Sequence, residues 1–400
     1  MLTLDKIYHA AYVLREAARR TDLISAPGLS SENSVYLKTE NLQVTGSFKL
    51  RGAYYKISQL SEEDKKHGIV ACSAGNHAQG VALAAQKNNI PCIICMPDGA
   101  PISKVEATKK YGAEVCLVKN TYDDAHTKAV EIQKEQGRTM IHPFDDDDVI
   151  AGQGTIGLEI LDQLTAVDAV IVPVGGGGLL SGVAFAIKNL NPDCKVYGVQ
   201  AAGAASMYRS IKEENIITLD SVNTFADGIA VKTPGNITYE MISKYVDDIA
   251  VVSEDEIAAA VLALMEKQKL VAEGAGAVAV AAAMFNKFDL HGKKIVCLVS
   301  GGNIDVSILN RVITRGLIMG GRRTTVTIGL TDRPGQLLLV SEIISRCGGN
   351  VVTVFHDRSD PNMAINSCLL RVVVETRDGE QATQIKQELL KAGLKLVGEK

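Results

Sequence analysis

The segment Thr45–Gly52 carries a lysine in a position suited to nucleophilic chemistry. Ser47 has the side chain of a helix N-cap, which places Lys49 in the first turn of the helix that follows. The helix dipole disfavours a cation there, so we expect a buried Lys49 to lose its proton easily and to become nucleophilic. The alternative is that Lys49 and Arg51 are a solvated pair of cations.

The run Gly175–Gly178 lies between the apolar stretch Ala169–Val174 and a helix predicted over 179–190. Glycine N–H groups at the positive end of a helix can approach an anion closely. The run fits neither the ATP-binding pattern G-x-x-x-x-G-K-[ST] nor the dinucleotide pattern G-x-G-x-x-G with a later acidic partner. A tight turn would need only one glycine, so the run predicts a phosphate site.

Two more polar segments, Ser73–His77 and Ser300–Asn303, each follow an apolar strand. Their donors suit a carboxylate or a phosphate, although Ser73 or Asn76 could instead cap a helix, and His77 suits a loop or cap better than a ligand role. Open α/β sheets bind ligands at the carboxyl ends of their strands. Three such loops in one chain therefore predict a single ligand site.

These loops belong to a repeated alternation of strand and helix over residues 1–320, which predicts parallel sheets with helices on both faces. The clearest pairs are strands over 68–73, 90–97, 113–118 and 169–174, followed by helices over 76–88, 101–111, 121–136 and 179–190. The last eighty residues have a different order, β-α-β-β-α-β, which is the ferredoxin-like pattern. Glycines at 316, 320 and 321 mark the boundary, so we predict one domain over 1–320 and another over 321–400.

Composition excludes several classes of function. The 42 basic and 46 acidic residues give a net charge of −4, which argues against a general nucleic-acid binder. No apolar run is long enough to cross a bilayer and no signal pattern begins the chain, so we expect a cytoplasmic protein. The eight cysteines lie mostly in apolar strands and are expected to be free thiols. Cys92 and Cys95 lie three apart on one strand, so their side chains should point to opposite faces.

Taken together, these motifs resemble the threonine/serine dehydratases, which are fold-type II pyridoxal-phosphate (PLP) enzymes of the tryptophan-synthase β type. The resemblance covers nearly all of residues 1–315 and rests on Ser47–Ala53, Ser73–His77, Thr224–Gly228, Pro234–Asn236, Glu273–Gly276, Ser300–Asn303 and the glycine run with Leu179. It implies an α/β catalytic domain of two lobes with open sheets, the smaller lobe spanning roughly 42–145. Residues 323–397 resemble an ACT regulatory domain, and a single tail of this kind is closest to the catabolic threonine ammonia-lyases.

The resemblance implies PLP as the cofactor and gives each motif a role. Lys49 would be the Schiff-base lysine and would take the proton from the substrate Cα. The phosphate would be held by backbone N–H groups of Gly175, Gly176, Gly177, Gly178 and Leu179. Asn76 would bond the ring hydroxyl, Phe48 would pack on the ring, and Ser300 would meet the pyridine nitrogen. The substrate carboxylate would be framed by Ser73, Ala74, Gly75, Asn76 and His77.

A hydroxyl at Ser300 does not compel protonation of the ring as a carboxylate would, which favours β-elimination over racemisation or transamination. The expected reaction converts L-threonine, and L-serine as well, to 2-oxobutanoate or pyruvate and ammonia. A related serine racemase or β-replacement enzyme is the alternative. The sequence leaves open the preference between the two substrates and whether the role is catabolic or lies in isoleucine biosynthesis.

No metal site is expected. Relatives of the serine racemase branch bind a divalent cation through acidic side chains, but the corresponding positions here are Gln200, Ala204 and Ser206. The acidic run Asp145–Asp148 is interpreted as a solvated turn that caps the next helix. Glu273 is either a structural partner near the cofactor or an acid at a helix start.

The C-terminal domain suggests control by an amino acid or an adenine nucleotide. The turn formed by Asp332, Arg333, Pro334, Gly335 and Gln336 is suited to an effector, with Asn350 of a neighbouring copy as a candidate partner. Alternatively, Asp332 only caps a helix, or the tail serves oligomer contacts. A homodimer or homotetramer is expected because most soluble oligomers have two-fold symmetry.

Overall fold

The computed structural model describes residues 2–358 and 364–398, which divide into two compact units, Met1–Asp305 and Val306–Lys400. The helices are α1 Leu4–Val13, α2 Lys49–Ser58, α3 Glu62–His67, α4 Asn76–Lys87, α5 Ile102–Lys110, α6 Tyr122–Gln136, α7 Asp147–Gln163, α8 Gly178–Leu190, α9 Ser206–Lys212, α10 Asn236–Tyr245, α11 Glu254–Ala263, α12 Gly274–Met284, α13 Val306–Met319, α14 Gln336–Arg346 and α15 Gly379–Lys391. The strands are β1 Leu23–Ser25, β2 Ser34–Lys38, β3 Ile69–Cys72, β4 Cys92–Pro97, β5 Glu114–Val118, β6 Thr139–Met140, β7 Ala169–Pro173, β8 Lys195–Ala201, β9 Asp248–Val252, β10 Lys294–Leu298, β11 Arg323–Thr331, β12 Asn350–Asp357, β13 Ser367–Glu375 and β14 Lys395–Leu396.

The larger lobe of the first unit is built on a six-stranded sheet in the order β1-β2-β10-β7-β8-β9. All neighbouring strands are parallel except β1 and β2, which form an antiparallel pair at one edge. Every residue of β7 is buried, as expected for a central parallel strand that is covered on both faces. The carboxyl ends of β7 and β10 therefore lie beside each other, and the loops 174–178 and 299–303 follow them.

The smaller lobe has a four-stranded parallel sheet in the order β5-β4-β3-β6. Alternate residues of β4 face different clusters: Cys92 packs in one core with Ile94, while Cys95 packs in another with Ile93. The prediction that Cys92 and Cys95 point to opposite faces is therefore confirmed. All eight cysteines are free, as predicted.

The second unit contains α13 and a four-stranded antiparallel sheet in the order β12-β13-β11-β14. Its alternating pattern buries Val326, Ile328 and Leu330 against α14 and α15, because successive strand residues face opposite sides. The β-α-β-β-α-β order predicted for this region is confirmed, while the division of the chain lies at Asp305 rather than at 320. Across the described residues, no helix combines the length and apolarity that a membrane span requires.

Candidate active site

Lys49 is the first residue of α2 and comes directly after a segment that pairs with the loop following β10. Ser47 forms an isolated bridge with Gly301, and the Phe48 N–H donates to the Ser300 carbonyl at 3.1 Å. The prediction that Ser47 is the N-cap is wrong. Phe48 occupies the N-cap position, and the buried Ser47 hydroxyl has no hydrogen-bond partner among the described residues. Lys49 is in the first turn, as predicted.

The Lys49 ammonium makes one short hydrogen bond and lies beside an aromatic ring. Its Nζ donates to the Pro143 carbonyl at 2.7 Å and lies 5.4 Å from the centre of the Phe48 ring. Desolvation lowers the pKa of Lys49 to about 8, against an opposing effect of the Glu273 carboxylate. Near neutral pH this amine can therefore accept and return a proton, which is the property that general base catalysis needs.

Arg51 does not form a solvated pair with Lys49, because its side chain is buried and fully engaged. Its guanidinium makes a bidentate pair with Glu40, at 2.9 Å and 2.8 Å, and also donates to Glu159 at 2.7 Å and 2.9 Å. Lys38 donates to the same Glu159 carboxylate at 2.5 Å. This network anchors α2, and thus the position of Lys49, to β2 and α7.

The glycine loop follows β7 and leads into α8. Among the described residues, no acceptor is paired with the backbone N–H groups of residues 175–179, as expected at a helix N-terminus. The carbonyl of Gly176 accepts from the Thr238 hydroxyl at 2.6 Å, which holds the loop in place. Gly177 has φ +105°, a conformation that favours glycine.

Phe144 explains why the loop has no side chains. A Cβ added at Gly176 would lie 2.3 Å from Cζ of Phe144, and one added at Gly178 would lie 2.7 Å from its carbonyl oxygen. Since Pro143 contacts Lys49 and Phe144 contacts the glycines, the reactive amine and the anion site are adjacent. A run of free N–H groups beside an amine of lowered pKa fits a cofactor that carries both a phosphate and an aldehyde.

Asn76 and Glu273 form the other side of the site. The Asn76 amide donates to Oε1 of Glu273 at 2.6 Å, and it accepts from the Asn303 amide at 2.8 Å. Glu273 is buried next to Gly301, and a Cβ at that glycine would lie 2.3 Å from Oε1. Desolvation, aided by the charge of Asp227, raises the pKa of Glu273 to about 7. Sequence reasoning left the role of Glu273 open because its burial depends on tertiary contacts.

The Ser73–His77 segment forms the β3–α4 loop and the first turn of α4. The Ser73 hydroxyl accepts from the Gly75 N–H at 3.2 Å, while Gly75 occupies the cap position and Asn76 begins the helix, so neither Ser73 nor Asn76 is the N-cap. The buried His77 ring bonds the Ile141 carbonyl at 2.9 Å, and desolvation lowers its pKa to about 3. The His77 side chain is therefore neutral near pH 7, and its ring makes a structural hydrogen bond.

Ser300 ends the turn after β10 and is buried. Its hydroxyl donates to the Ala275 carbonyl at 3.4 Å, a long bond that leaves the oxygen able to accept. Leu179 and Phe48 pack against the core of the larger lobe. The fold therefore brings together Lys49, Asn76, the glycine run and Ser300 at the carboxyl ends of β3, β7 and β10.

The acidic run is more ordered than a solvated turn. The Asp145 carboxylate accepts from the N–H groups of Asn236 and Thr238 at 3.0 Å and 3.1 Å, which fixes the start of α10. Asp146 caps α7, as the sequence predicts, and Asp148 pairs with Lys6 at 2.6 Å. The hydrogen bonds of Asp145 and Asp146 therefore fix the chain directly after Pro143 and Phe144.

Gln200, Ala204 and Ser206, where no metal ligand is expected from the sequence, are all buried. Gln200 accepts from the Tyr208 N–H at 2.8 Å, and the Ser206 hydroxyl donates to the Val231 carbonyl at 2.8 Å. Ala204 is fully buried. These three residues provide no carboxylate.

In the second unit, the predicted effector turn joins β11 to α14. Asp332 pairs with Arg358 at 3.3 Å, and Gly335, with φ +92°, occupies the cap of α14. Asp332 therefore does not cap this helix. The Asn350 amide donates to Glu375 at 3.2 Å within the same unit.

Residues 14–301 match the family described as pyridoxal-phosphate dependent enzyme. The chain is 48% identical to an L-threonine ammonia-lyase of Thermotoga maritima, covering 100% of both chains. It is 50% identical to the catabolic L-threonine dehydratase of Escherichia coli, covering 70% of this chain and 86% of that one. The fold is similar to the processed form of threonine deaminase isoform 2 from Solanum lycopersicum, with a TM-score of 0.75 and 39% identity over 79% of this chain and 90% of that chain. It is also similar to maize serine racemase, with a TM-score of 0.74 and 35% identity over 80% and 98%.

Proposed function

Because the chain belongs to the family of pyridoxal-phosphate dependent enzymes, we propose that it deaminates L-threonine to 2-oxobutanoate and ammonia, with L-serine as a second substrate. Deamination of L-threonine is the reaction of a threonine ammonia-lyase, which is a carbon–nitrogen lyase. The observation that carries the proposal is the contact of Lys49 with Pro143, beside a loop whose N–H groups are free for a phosphate.

Bound PLP supplies an electron-withdrawing system, conjugated to the substrate nitrogen, that makes the Cα proton acidic. Lys49 would take that proton at Nζ, because a pKa of about 8 leaves roughly a tenth of the amine unprotonated at pH 7 and keeps proton transfer in both directions accessible. The electron pair left at Cα would form a double bond to Cβ as the β-hydroxyl leaves, and the proton that Lys49 accepts balances the proton that the leaving hydroxide takes up to form water. Hydrolysis of the resulting enamine then yields the oxoacid and ammonia.

The other site residues bind and orient. The N–H groups of residues 175–179 hold the phosphate at the start of α8, where the helix dipole favours an anion. Asn76 is fixed between Asn303 and Glu273, and its amide would bond the ring hydroxyl. The N–H groups at the start of α4 receive the substrate carboxylate, and Phe48 packs on the cofactor ring.

Lys49→Ala tests the assignment directly. The variant should lose both turnover and the visible absorption band of the purified holoenzyme, since no other amine replaces Nζ. The matched control is Lys87→Ala, an exposed lysine whose ammonium donates only to the Glu16 carbonyl. A Lys49→Ala protein that keeps both signals would overturn the site.

Serine racemisation is the second candidate, since maize serine racemase has a similar fold. Ser300 argues for elimination, because a hydroxyl partner does not stabilise a protonated ring. The two activities separate on products: a lyase releases oxoacid and ammonia without an added nucleophile, while a racemase yields D-serine. The methyl group that distinguishes threonine from serine is worth about 1–3 kcal/mol, so kcat/KM should differ by roughly 10–200-fold at most.

We also infer that copies of this chain associate through the second unit. Strand β12 is at the edge of its sheet, and it exposes Val354 and Phe355 together with a backbone edge that can pair. A homodimer or homotetramer would cover this edge, and sedimentation measurements test it. Val354→Lys should shift the distribution to smaller species.

Effector binding at the turn 332–336 is a separate proposal, suggested by the ACT-like order of the unit. Isoleucine, valine and an adenine nucleotide are the ligands to test, each by its effect on the melting temperature of the intact enzyme. A panel without any shift would reject the proposal. The free thiols are consistent with a reducing compartment, and we propose the cytoplasm as the location.

A further inference from the structure

Three side chains of the second unit converge at one end of its sheet. The ligand atoms of Asp332, His356 and Cys368 all lie within 4.8 Å of one another. No other group of three or more such side chains meets this distance in the described parts of the chain. We propose that Asp332, His356 and Cys368 form a binding site for a divalent cation of the zinc class.

The strand register accounts for the convergence. Cys368 pairs with Leu330 on β11, and His356 pairs with Leu370 on β13, so both side chains are on the face that carries the buried Leu330 and Leu370. Asp332 follows β11 directly, and its N–H donates to the Asn366 carbonyl at 2.9 Å. This bond ties the Asp332 turn to the start of β13, next to Cys368.

The donor set selects the class of cation. Thiolate sulfur, imidazole nitrogen and carboxylate oxygen are the ligands that zinc takes, at about 2.0–2.3 Å. Magnesium and calcium prefer oxygen ligands alone, so a site with sulfur disfavours them. Three protein ligands would leave the fourth tetrahedral position to water or to another small donor.

The site needs only a modest adjustment to close on an ion. His356 and Asp332 are exposed, so their side chains can rotate toward the buried Cys368. The Asp332 carboxylate has two oxygens, and the Arg358 pair at 3.3 Å uses one of them, Oδ1. Among the described residues, the His356 ring has no hydrogen-bond partner that it would have to give up.

The charge balance is simple. Zinc binds sulfur as the thiolate, so the Cys368 thiol gives up its proton when the cation binds. Binding forms one metal–sulfur bond and breaks one S–H bond, and the proton passes to solvent. No oxidation or reduction takes place.

The test uses the full-length holoenzyme, treated with a chelator and dialysed, and the probes are Zn²⁺ for calorimetry and Co²⁺ for absorption spectroscopy. We expect one equivalent bound and a thiolate-to-Co²⁺ charge-transfer band. His356→Ala should weaken Zn²⁺ binding at least about 100-fold, the upper end of the loss caused by removing an outer-shell partner. Cys368→Ser should remove the band.

Matched controls are His291→Ala, an exposed histidine of the first unit, and Cys347→Ser, a partly buried cysteine outside the cluster. Both should leave Zn²⁺ affinity unchanged. Because His356 is exposed, its variant should fold even if Cys368→Ser does not. Zn²⁺ affinity that is the same in His356→Ala as in the unsubstituted protein would overturn the proposal, as would Co²⁺ binding without a thiolate band or equal affinity for Mg²⁺.

Discussion

The Asn76 amide donates to the Glu273 carboxyl at 2.6 Å inside the active site, although 197 positions separate the two residues. The bond fixes the position of the Asn76 amide, and the Glu273 carboxylate acts electrostatically on the Lys49 amine. The Glu273 carboxyl has a pKa of about 7, so its ionisation changes near neutral pH.

Glu273→Gln should remove a pH-dependent cost of folding. The folded pKa of about 7 exceeds the ordinary glutamate value of 4.5, so the contribution of Glu273 to stability is greatest below pH 4.5 and is lost as the pH rises through 7. Urea unfolding of the apoenzyme should show the variant gaining roughly 2–3 kcal/mol over the unsubstituted protein between pH 5 and 8. Glu62→Gln, on the surface, is the control; equal pH profiles for the Glu273 variant and the unsubstituted protein would contradict the prediction.

Lys49 should titrate well below an ordinary lysine. With ¹³C-methyl groups introduced by reductive methylation of the apoenzyme, NMR should show a lysine signal with a midpoint near 8 that belongs to Lys49, while burial also lowers the pKa of Lys38. Lys49→Arg identifies that signal by removing it. A spectrum in which every lysine titrates near 10.5 would show that desolvation at this position is weak.

Gly176→Ala should weaken PLP binding. The new Cβ would lie 2.3 Å from the Phe144 ring, and relief requires the ring or the loop to move. Overpacking of this kind costs about 1–3 kcal/mol, which corresponds to a 5- to 150-fold higher Kd for PLP. Gly99→Ala is the control, since a Cβ there meets nothing within 4 Å. Fluorescence titration of both apoenzymes with PLP measures the difference, and equal Kd values would exclude the steric argument.

Arg51→Met should destabilise the first unit by about 3–5 kcal/mol, because it leaves the buried Glu40 and its neighbour Glu159 without their shared partner. Lys65→Ala breaks an exposed pair with Glu62 and should cost less than about 1 kcal/mol. Chemical denaturation of both variants measures the contrast. Similar losses in the two would mean that the Arg51 network contributes no more than a surface pair.

A chelator should leave turnover unchanged. Gln200, Ala204 and Ser206, the positions that the sequence comparison with the serine racemase branch singles out, carry no carboxylate, so we expect turnover without a divalent cation. The measurement is best made in His356→Ala, which also disables the proposed zinc site of the second unit. Activity lost with EDTA and restored by Mg²⁺ would reject this expectation.

The sequence predicts the parts of the site that depend on local pattern. Lys49 at a helix start and the glycine run after β7 follow from residue type and spacing. The strand–helix alternation predicts parallel strands with helices on both faces, whereas the division into two lobes is implied only by the family resemblance. The Pro143 carbonyl and the Phe144 ring could not be predicted, because a carbonyl has no sequence signal and ring packing is set by tertiary contacts. Arg51 is a further case: its burial depends on Glu159, which is more than 100 residues away.

The side-chain cluster of the second unit could not be predicted either, for the same reason: it depends on tertiary contacts. Asp332, His356 and Cys368 follow no ligand-spacing motif, and they meet only because antiparallel register brings three strands' ends together. Likewise, Ser47 has the residue type of an N-cap, but its pairing with Gly301 moves the helix start by one residue.

The position of β10 between β2 and β7 has a consequence for folding during synthesis of the chain on the ribosome. The smaller sheet finds all its partners within residues 69–140, so it can fold while the ribosome is still translating. Strand β2, by contrast, keeps one unpaired edge until residues 294–298 have emerged. A nascent or truncated chain that stops before Leu298 therefore displays an open strand edge, which recruits other chains into aggregates.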